Sequence, residues 1–352
     1  MFSLNRKLSI RDQASFAKKL AFLIRADVPI MESLRMIKNQ STFSRAKIFE
    51  QILGDVTSGQ FLSSSLAKHG NTFGTFAINI IKVGEEGGIL DQNLEYLAEE
   101  LKKRQELKKK ILGAMVYPAF ISLATIGVTT MITVYIFPKL MPVFESVSFK
   151  LPLTTRMLMA VSGFMIAYGF YLFIGILLAV IGLVFLYKKV RPFNMAVSRL
   201  LIGVPIFGPL FQSYHMANFC RTFGLLLNCQ VGIINAANIT GDATANLLYR
   251  REITALGEQI TRGKRVADYL EQRQGLFPEM VHQMVAIGET AGNLGDTLLY
   301  LSDHFESEVN DITKNLSNSL EPILLVVMGL VVGFVAVSVI TPIYELTANI
   351  HP

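Results

Sequence analysis

The sequence predicts an all-α, polytopic membrane protein with two homologous cytoplasmic helical-bundle domains and three transmembrane helices. Three observations carry this. The blocks 111–137, 157–187 and 322–344 contain no Asp, Glu, Lys or Arg, while the rest of the chain is charged like an ordinary soluble protein. A register of residues repeats at a shift of 204. The charged segments show helical periodicity and no useful strand alternation. The 352 residues are 51% hydrophobic and only 17% charged, which argues against a wholly soluble enzyme, a disordered chain and a disulfide scaffold.

The first domain, 1–115, starts polar and basic (Met1 to Lys7), with no apolar core of signal-peptide length. Ser9-Ile10-Arg11-Asp12 has the form of a capping box, followed by Phe16, Leu20, Leu23 and Ile24 on one helical face. Asp27-Val28-Pro29 reads as a turn before a second helix through Met36. From Asp91 to Lys110 a helix with Leu94, Leu97, Ala98 and Leu101 on one face runs towards the first span. Glu99–Lys103, Glu100–Arg104 and Glu106–Lys110 are i,i+4 pairs in the favourable order. The basic run Lys102-Lys103-Arg104 and Lys108-Lys109-Lys110 is expected to meet anionic lipid headgroups.

The first span, 116–138, is bracketed by Pro118 and Pro138, and the third, 321–342, by Pro322 and Pro342. A proline at the first helical position wastes no hydrogen bond, and one at the far end is expected to stop the helix at the interface. Between them, after a short periplasmic loop at 139–160, the second span at 161–187 is longer than a crossing needs, with a core at Phe164 to Leu186. The second cytoplasmic domain, 188–320, follows it, and a periplasmic tail, 343–352, ends the chain. Residues 1–110 carry 18 Lys and Arg, 188–320 carry 12, and 138–156 only 3, so the positive-inside rule puts both long segments and the N-terminus in the cytoplasm and the C-terminus outside.

The repeat explains that topology. Besides the prolines, Gly59, Leu66 and Phe73 fall on Gly263, Leu270 and Phe277, and Gly84 to Leu90 falls on Gly288 to Leu294. With one residue of slippage, Phe16 and Val28 fall on Phe219 and Val231. Two copies in the same sense require one extra crossing between them, which makes 157–187 a return helix in a parallel repeat.

No chemistry emerges. Gly257 to Arg265 resembles a phosphate loop but has five residues between its glycines and Arg where the magnesium-binding hydroxyl belongs. The five histidines lack metal-ligand spacing, and Cys220 and Cys229 match neither a redox pair nor a zinc knuckle and read as buried, reduced thiols. No catalytic residue, metal or cofactor is expected, nor nucleic-acid binding. Transport is disfavoured because the spans hold no ionisable residue. Their small residues, Gly329-x-x-x-Gly333, Gly175-x-x-x-Ala179 and Gly182, are expected to pack helices within one monomer more than across an oligomer face.

The repeated Gly-Glu-x-small-Gly-x-Leu segments are the candidate sites. Structurally, the first glycine (Gly84, Gly288) would end a helix in a left-handed conformation and the second (Gly88, Gly292) would allow close approach, with Asp91 or Asp296 near the next helix N-terminus. Functionally, Glu85, Glu86, Asp91, Glu289 and Asp296 would be partner-binding carboxylates.

Phe-x-x-x-Leu-Ala-x-Leu-Ile-x-Ala-x-Val-Pro (Phe16 to Pro29), Gly-Glu-x-x-Gly-x-Leu, and Tyr117-Pro118 or Glu321-Pro322 opening an apolar helix together resemble the inner-membrane platform proteins of type II secretion systems and type IV pili. The resemblance covers residues 10 to 345 and implies a non-enzymatic bacterial inner-membrane protein. Its implied partners are a hexameric cytoplasmic assembly ATPase, pilin or pseudopilin subunits, other inner-membrane assembly proteins, and further copies of itself. It implies coupling of the ATPase to insertion or extraction of pilin; the rival class is a subunit of a membrane transporter or channel. The chain departs from the common pattern in lacking a long N-terminal arm, as in the shorter type IVb pilus members. It has Asp27 and Gln230 where the family usually has Gly, and Gly232 in place of the first copy's Pro29, for which a looser turn is expected.

Overall fold

The computed structural model describes residues 8–41, 43–145, 152–204 and 208–350, and every regular element among them is helical. The chain divides into two compact units: residues 1–110 with 194–312, and residues 111–193 with 313–352. The charged parts of both copies of the repeat thus lie in the first unit.

In the first unit, the first copy runs through α1 (Ile10–Arg25), α2 (Ile30–Asn39), α3 (Phe43–Thr57), α4 (Leu62–Lys68), α5 (Gly70–Gly87, broken at Gly74) and the start of α6 (Leu90–Met131). Ser9 caps α1: the Asp12 amide donates to Ser9 Oγ at 3.2 Å, and Ser9 Oγ donates to Asp12 Oδ2 at 2.8 Å. Phe16 stacks on Phe49 with centroids 5.2 Å apart and meets Phe73 at 5.6 Å, beside the fully buried Leu20, Leu34 and Leu66.

Beyond α6 come a π turn (Ile132–Ile136), α7 (Phe137–Glu145), α8 (Leu153–Lys189) and α9 (Arg191–Gly203). The second copy then repeats the order with α10 (Gly208–Asn228), α11 (Ile233–Ala243), α12 (Leu247–Thr261), α13 (Val266–Glu271), α14 (Glu279–Ala291) and α15 (Leu294–Ile350). Phe219 and Phe277, the equivalents of Phe16 and Phe73, meet at 5.5 Å. Buried Cys220 and Cys229 are free thiols.

The turn after the first helix of each copy is the same. Asp27 and Gln230 sit at φ 58° and 61° in the left-handed region, which explains why glycine suits the position. The Val28 amide donates to Leu23 O and the Val231 amide to Leu226 O. Gly232 (φ −55°, ψ 139°) matches Pro29 (φ −55°, ψ 143°), so the glycine adopts the geometry that proline supplies covalently.

Three helices are long and apolar enough to cross a membrane, within Leu90–Pro142, Leu153–Tyr187 and Leu294–Thr341. The prolines do not bound them. Pro118 lies inside α6, Pro138 and Pro142 inside α7, and Pro322 and Pro342 inside the 57-residue α15. Ending a helix in hydrocarbon would strand up to four carbonyls, whereas continuing past a proline strands one, so continuity wins.

In the second unit, Phe137, Leu158 and Val335 form a buried cluster joined by Leu140, Met159 and Val339. The small residues contribute nothing to packing: a Cβ built on Gly175, Gly182, Gly329 or Gly333 would meet no atom within 4 Å. The expectation that they pack helices within the monomer is therefore corrected. Large side chains and hydroxyl-to-carbonyl hydrogen bonds join these helices instead.

Candidate functional site

The turn between the last two helices of each copy is built twice with the same geometry. Gly88 and Gly292 adopt φ 70° and 73° and cap α5 and α14. The amide two residues past the end closes each cap, Ile89 onto Gly84 O and Asn293 onto Gly288 O, both at 3.0 Å. Gly84 and Gly288 are helical and buried under the next helix. A Cβ on Gly84 would lie 3.0 Å from Leu90 Cα, and one on Gly288 2.9 Å from Thr297 Cβ. The two glycines thus exchange the roles expected from sequence: the first permits close approach and the second takes the left-handed conformation. Spacing alone could not assign them, because close approach depends on where the following helix folds back.

Glu85 and Glu289 point inward along the chain's own structure. Glu85 accepts from the Leu62 and Ser63 amides at 2.6 and 2.8 Å, at the start of α4. Glu289 accepts from the Val266 and Ala267 amides at 2.7 and 3.0 Å, at the start of α13. Each carboxylate caps a helix whose own preceding residue, Phe61 or Arg265, supplies no side-chain cap, and it sits on the positive end of that helix.

The other candidates lie nearer solvent. Glu86 is exposed and lies 3.8 Å from Lys82; Asp91 is half-buried, 3.8 Å from Arg25; exposed Asp296 accepts from Asn228 Nδ2 at 2.7 Å. Pro118 and Pro322 belong to the second, apolar unit.

A buried ionic network between the two copies escaped sequence reasoning. Glu100 of α6 and Arg221 of α10 are both almost fully buried and lie 3.4 Å apart. Glu100 also accepts from Arg104 Nε, while Arg221 Nη2 pairs with Glu306 and lies 3.4 Å from Asp303. Arg104 reaches across to donate to Thr222 Oγ1 and lies 4.7 Å over the Phe76 ring. Burial by itself disfavours the Arg221 charge, but Glu100, Glu306 and Asp303 outweigh it and raise its pKa. The expected Glu100–Arg104 pair forms; Lys103 turns instead to Asp303 at 3.2 Å, and Lys102 lies 3.8 Å from Glu106. Lys103 and Arg104 of the basic run therefore make contacts between the copies, while Lys108, Lys109 and Lys110 are exposed. The visible signal was one-sided: Arg221 has no acidic partner at helical spacing in its own segment.

Beside this network a cavity of 230 Å³ separates Arg104 and Lys108 from Tyr214, His215 and Tyr249. His215 stacks on Tyr249 at 4.5 Å, and burial lowers its pKa to about 4. Among the described residues no three His, Cys, Asp or Glu side chains converge as metal ligands would. The arrangement holds helices together and presents charged faces.

Comparison with known proteins matches this architecture twice. The model of the family "Type II secretion system (T2SS), protein F" matches residues 16–138 and 219–342, so that each match starts at Phe16 or Phe219 and closes at Pro138 or Pro342. The chain is 30% identical over 352 residues to the type IV pilus assembly protein PilC of Thermus thermophilus, covering 99% of this chain and 86% of that one. It is 27% identical over 344 residues to the PilC of Pseudomonas aeruginosa, covering 97% and 91%. It is 27% identical over 346 residues to the type II secretion system protein F of Vibrio cholerae, covering 98% and 85%. With both copies matched and three apolar helices, this is an inner-membrane protein of the type II secretion system protein F family.

Proposed function

We propose that the chain is the inner-membrane platform of a type IV pilus, or of a type II secretion machine, and couples a cytoplasmic assembly ATPase to insertion or extraction of pilin or pseudopilin subunits. The observation that carries this reading is the double family match, each half of which runs from a charged helical bundle into an apolar helix. The charge distribution supports an N-terminus in the cytoplasm and a C-terminus in the periplasm. The apolar blocks hold no ionisable side chain to relay an ion, so the working surface is the charged unit. Helices α6 and α15 each continue without a break from charged into apolar sequence, which suits them to transmit a push or a rotation.

Within that surface, exposed Glu86 and Asp296 are the carboxylates best placed to meet the ATPase, with Asp91 beside the first. Glu85 and Glu289 hold the turns that present them. The test is reciprocal co-purification of the full chain with the assembly ATPase encoded in the same host, together with pilus and secretion assays after gene deletion. Glu86→Lys and Asp296→Lys should reduce ATPase recovery and surface pili while the protein level holds. Intact pili and secretion in the deletion strain, with no ATPase recovered, would refute the platform reading. Substrate-dependent flux through liposomes holding this chain alone would favour the transporter alternative.

A further inference from the structure

The two copies meet through different faces. The first contributes α6 and α5, with Glu100, Lys103, Arg104 and Phe76; the second contributes α10, α11 and the Asp303 side of α15, with Arg221, Thr222 and Leu225. If the pairing were symmetric, the equivalent residues on the opposite faces would be buried as well. They are not. Arg221 is 3% exposed and Leu225 7%, but their equivalents in α1, Lys18 and Phe22, lie in the open, Phe22 at 72%. Glu100 is 3% exposed, but its equivalent His304 is exposed. The contact is heterologous, head to tail, and a heterologous contact leaves one unused face of each kind on every chain.

We propose that these unused faces bind each other between chains: the α1 face of one molecule receives the α15 face of a second copy, as α10 receives α6 within the chain. The register of the repeat names the contacts. Phe22 takes the place of Leu225 and meets Tyr300, the equivalent of Tyr96; Tyr96 and Leu225 line one groove within the chain, and Tyr300 is 60% exposed. Lys19 takes the place of Thr222, and Glu308, half-buried and accepting from Ser213 Oγ of its own chain at 3.0 Å, that of Arg104, so a guanidinium-to-hydroxyl hydrogen bond within the chain becomes an ion pair between chains. The charges suit the pairing: α1 presents Arg11, Lys18 and Lys19, with Arg25 already paired to Glu95, whereas the facing stretch of α15 presents exposed His304 and Asp311 and half-buried Glu308. A groove flanked by Lys18, Phe22, Arg25, Glu95, Glu99 and Lys102 already lies open on the first copy. Because the repeat is parallel, the same operation can be applied again without turning a chain over in the membrane. The proposal concerns self-assembly and does not rest on the platform function.

The test is disulfide trapping of the full chain in native membranes, with Cys220 and Cys229 replaced by Ala. Phe22→Cys with Tyr300→Cys should give a ladder of dimers and higher species on oxidation, and neither variant alone should give one. Tyr96→Cys with Leu225→Cys, across the contact within the chain, should give only a mobility shift of the monomer and so reports that the fold is intact. In detergent, Lys19→Glu should weaken self-association about tenfold, and adding Glu308→Lys should restore it. A dimer from Phe22→Cys alone would overturn the head-to-tail arrangement. No ladder from the pair while the internal control closes, or trapping of a different protein at Phe22→Cys, would overturn the second copy as the occupant.

Discussion

The hydroxyl of Ser162 in α8 donates to the backbone carbonyl of Thr133 at 2.7 Å, and this is the carbonyl that Pro138 leaves without a donor. In the π turn the Phe137 amide bonds to Ile132 O, five residues back. The next bond of that register would join residue 138 to Thr133 O, and proline has no N–H to make it. The arrangement recurs at the other copy: Thr155 Oγ1 donates at 2.8 Å to Ser338 O, four residues before Pro342. The return helix thus satisfies one orphaned acceptor in each copy, with two hydroxyls seven residues apart on one face.

Removing either hydroxyl should therefore uncover a proline defect. Ser162→Ala is expected to cost about 1–2 kcal/mol, since a buried acceptor loses its donor. In a Pro138→Ala background, where the backbone can supply its own donor, the same substitution should cost less than half as much. Unfolding in detergent of the four proteins of this double-mutant cycle measures the difference; additive costs would dissociate the hydroxyl from the proline.

Glu289 is expected to behave as a remote helix cap. Glu289→Ala should destabilise the chain by about 2–3 kcal/mol, because two amides at the start of α13 lose a charged acceptor. Glu289→Gln should retain part of that, having one strong acceptor oxygen in place of two. Protease resistance near Arg265 is the local readout, and a cleavage pattern unchanged by Glu289→Ala would remove the capping role.

Gln230 holds a left-handed conformation without glycine's freedom. Gln230→Gly should stabilise the protein by about 1 kcal/mol, and Asp27→Gly by less, since Asp tolerates this region better. Thermal unfolding of the purified variants would show it as a raised midpoint.

His215 links stability to pH. Its pKa falls from the ordinary 6.5 to about 4 through burial, so the unfolded chain binds its proton first as the solution is acidified. That contribution is fully present above pH 6.5 and is lost as pH falls from there to about 4, below which it stays constant. His215→Phe should flatten the stability profile across this window while keeping the ring against Tyr249, and unfolding measured at several pH values would check it.

The elements that could be read from the chain are those set by neighbours in sequence. The Ser9–Asp12 cap, the turn at Asp27 and the spans each depend on a few consecutive residues or on a local absence of charge. The division of labour between Gly84 and Gly88 was legible only as a pair, because the left-handed angle belongs to the turn whereas the close approach belongs to a helix that folds back later. Glu85 and Glu289 were visible as a repeated feature, but the amides they cap lie over twenty residues upstream. The Arg221 network was not visible, since its main partners arrive from α6 and α15.

By itself the sequence determined the class of protein: its apolar helices, its doubled helical bundle and the absence of any ionisable residue in the apolar blocks. Only the tertiary structure decided which of two near-identical faces is buried. Lys18 and Arg221 occupy equivalent places in the repeat, yet one lies in solvent and the other is enclosed by three carboxylates. Local preferences are the same in both copies. The difference arises because a head-to-tail contact within one chain can cover only one face of each kind, and the energy of burying a charge depends wholly on which partners that contact brings to it.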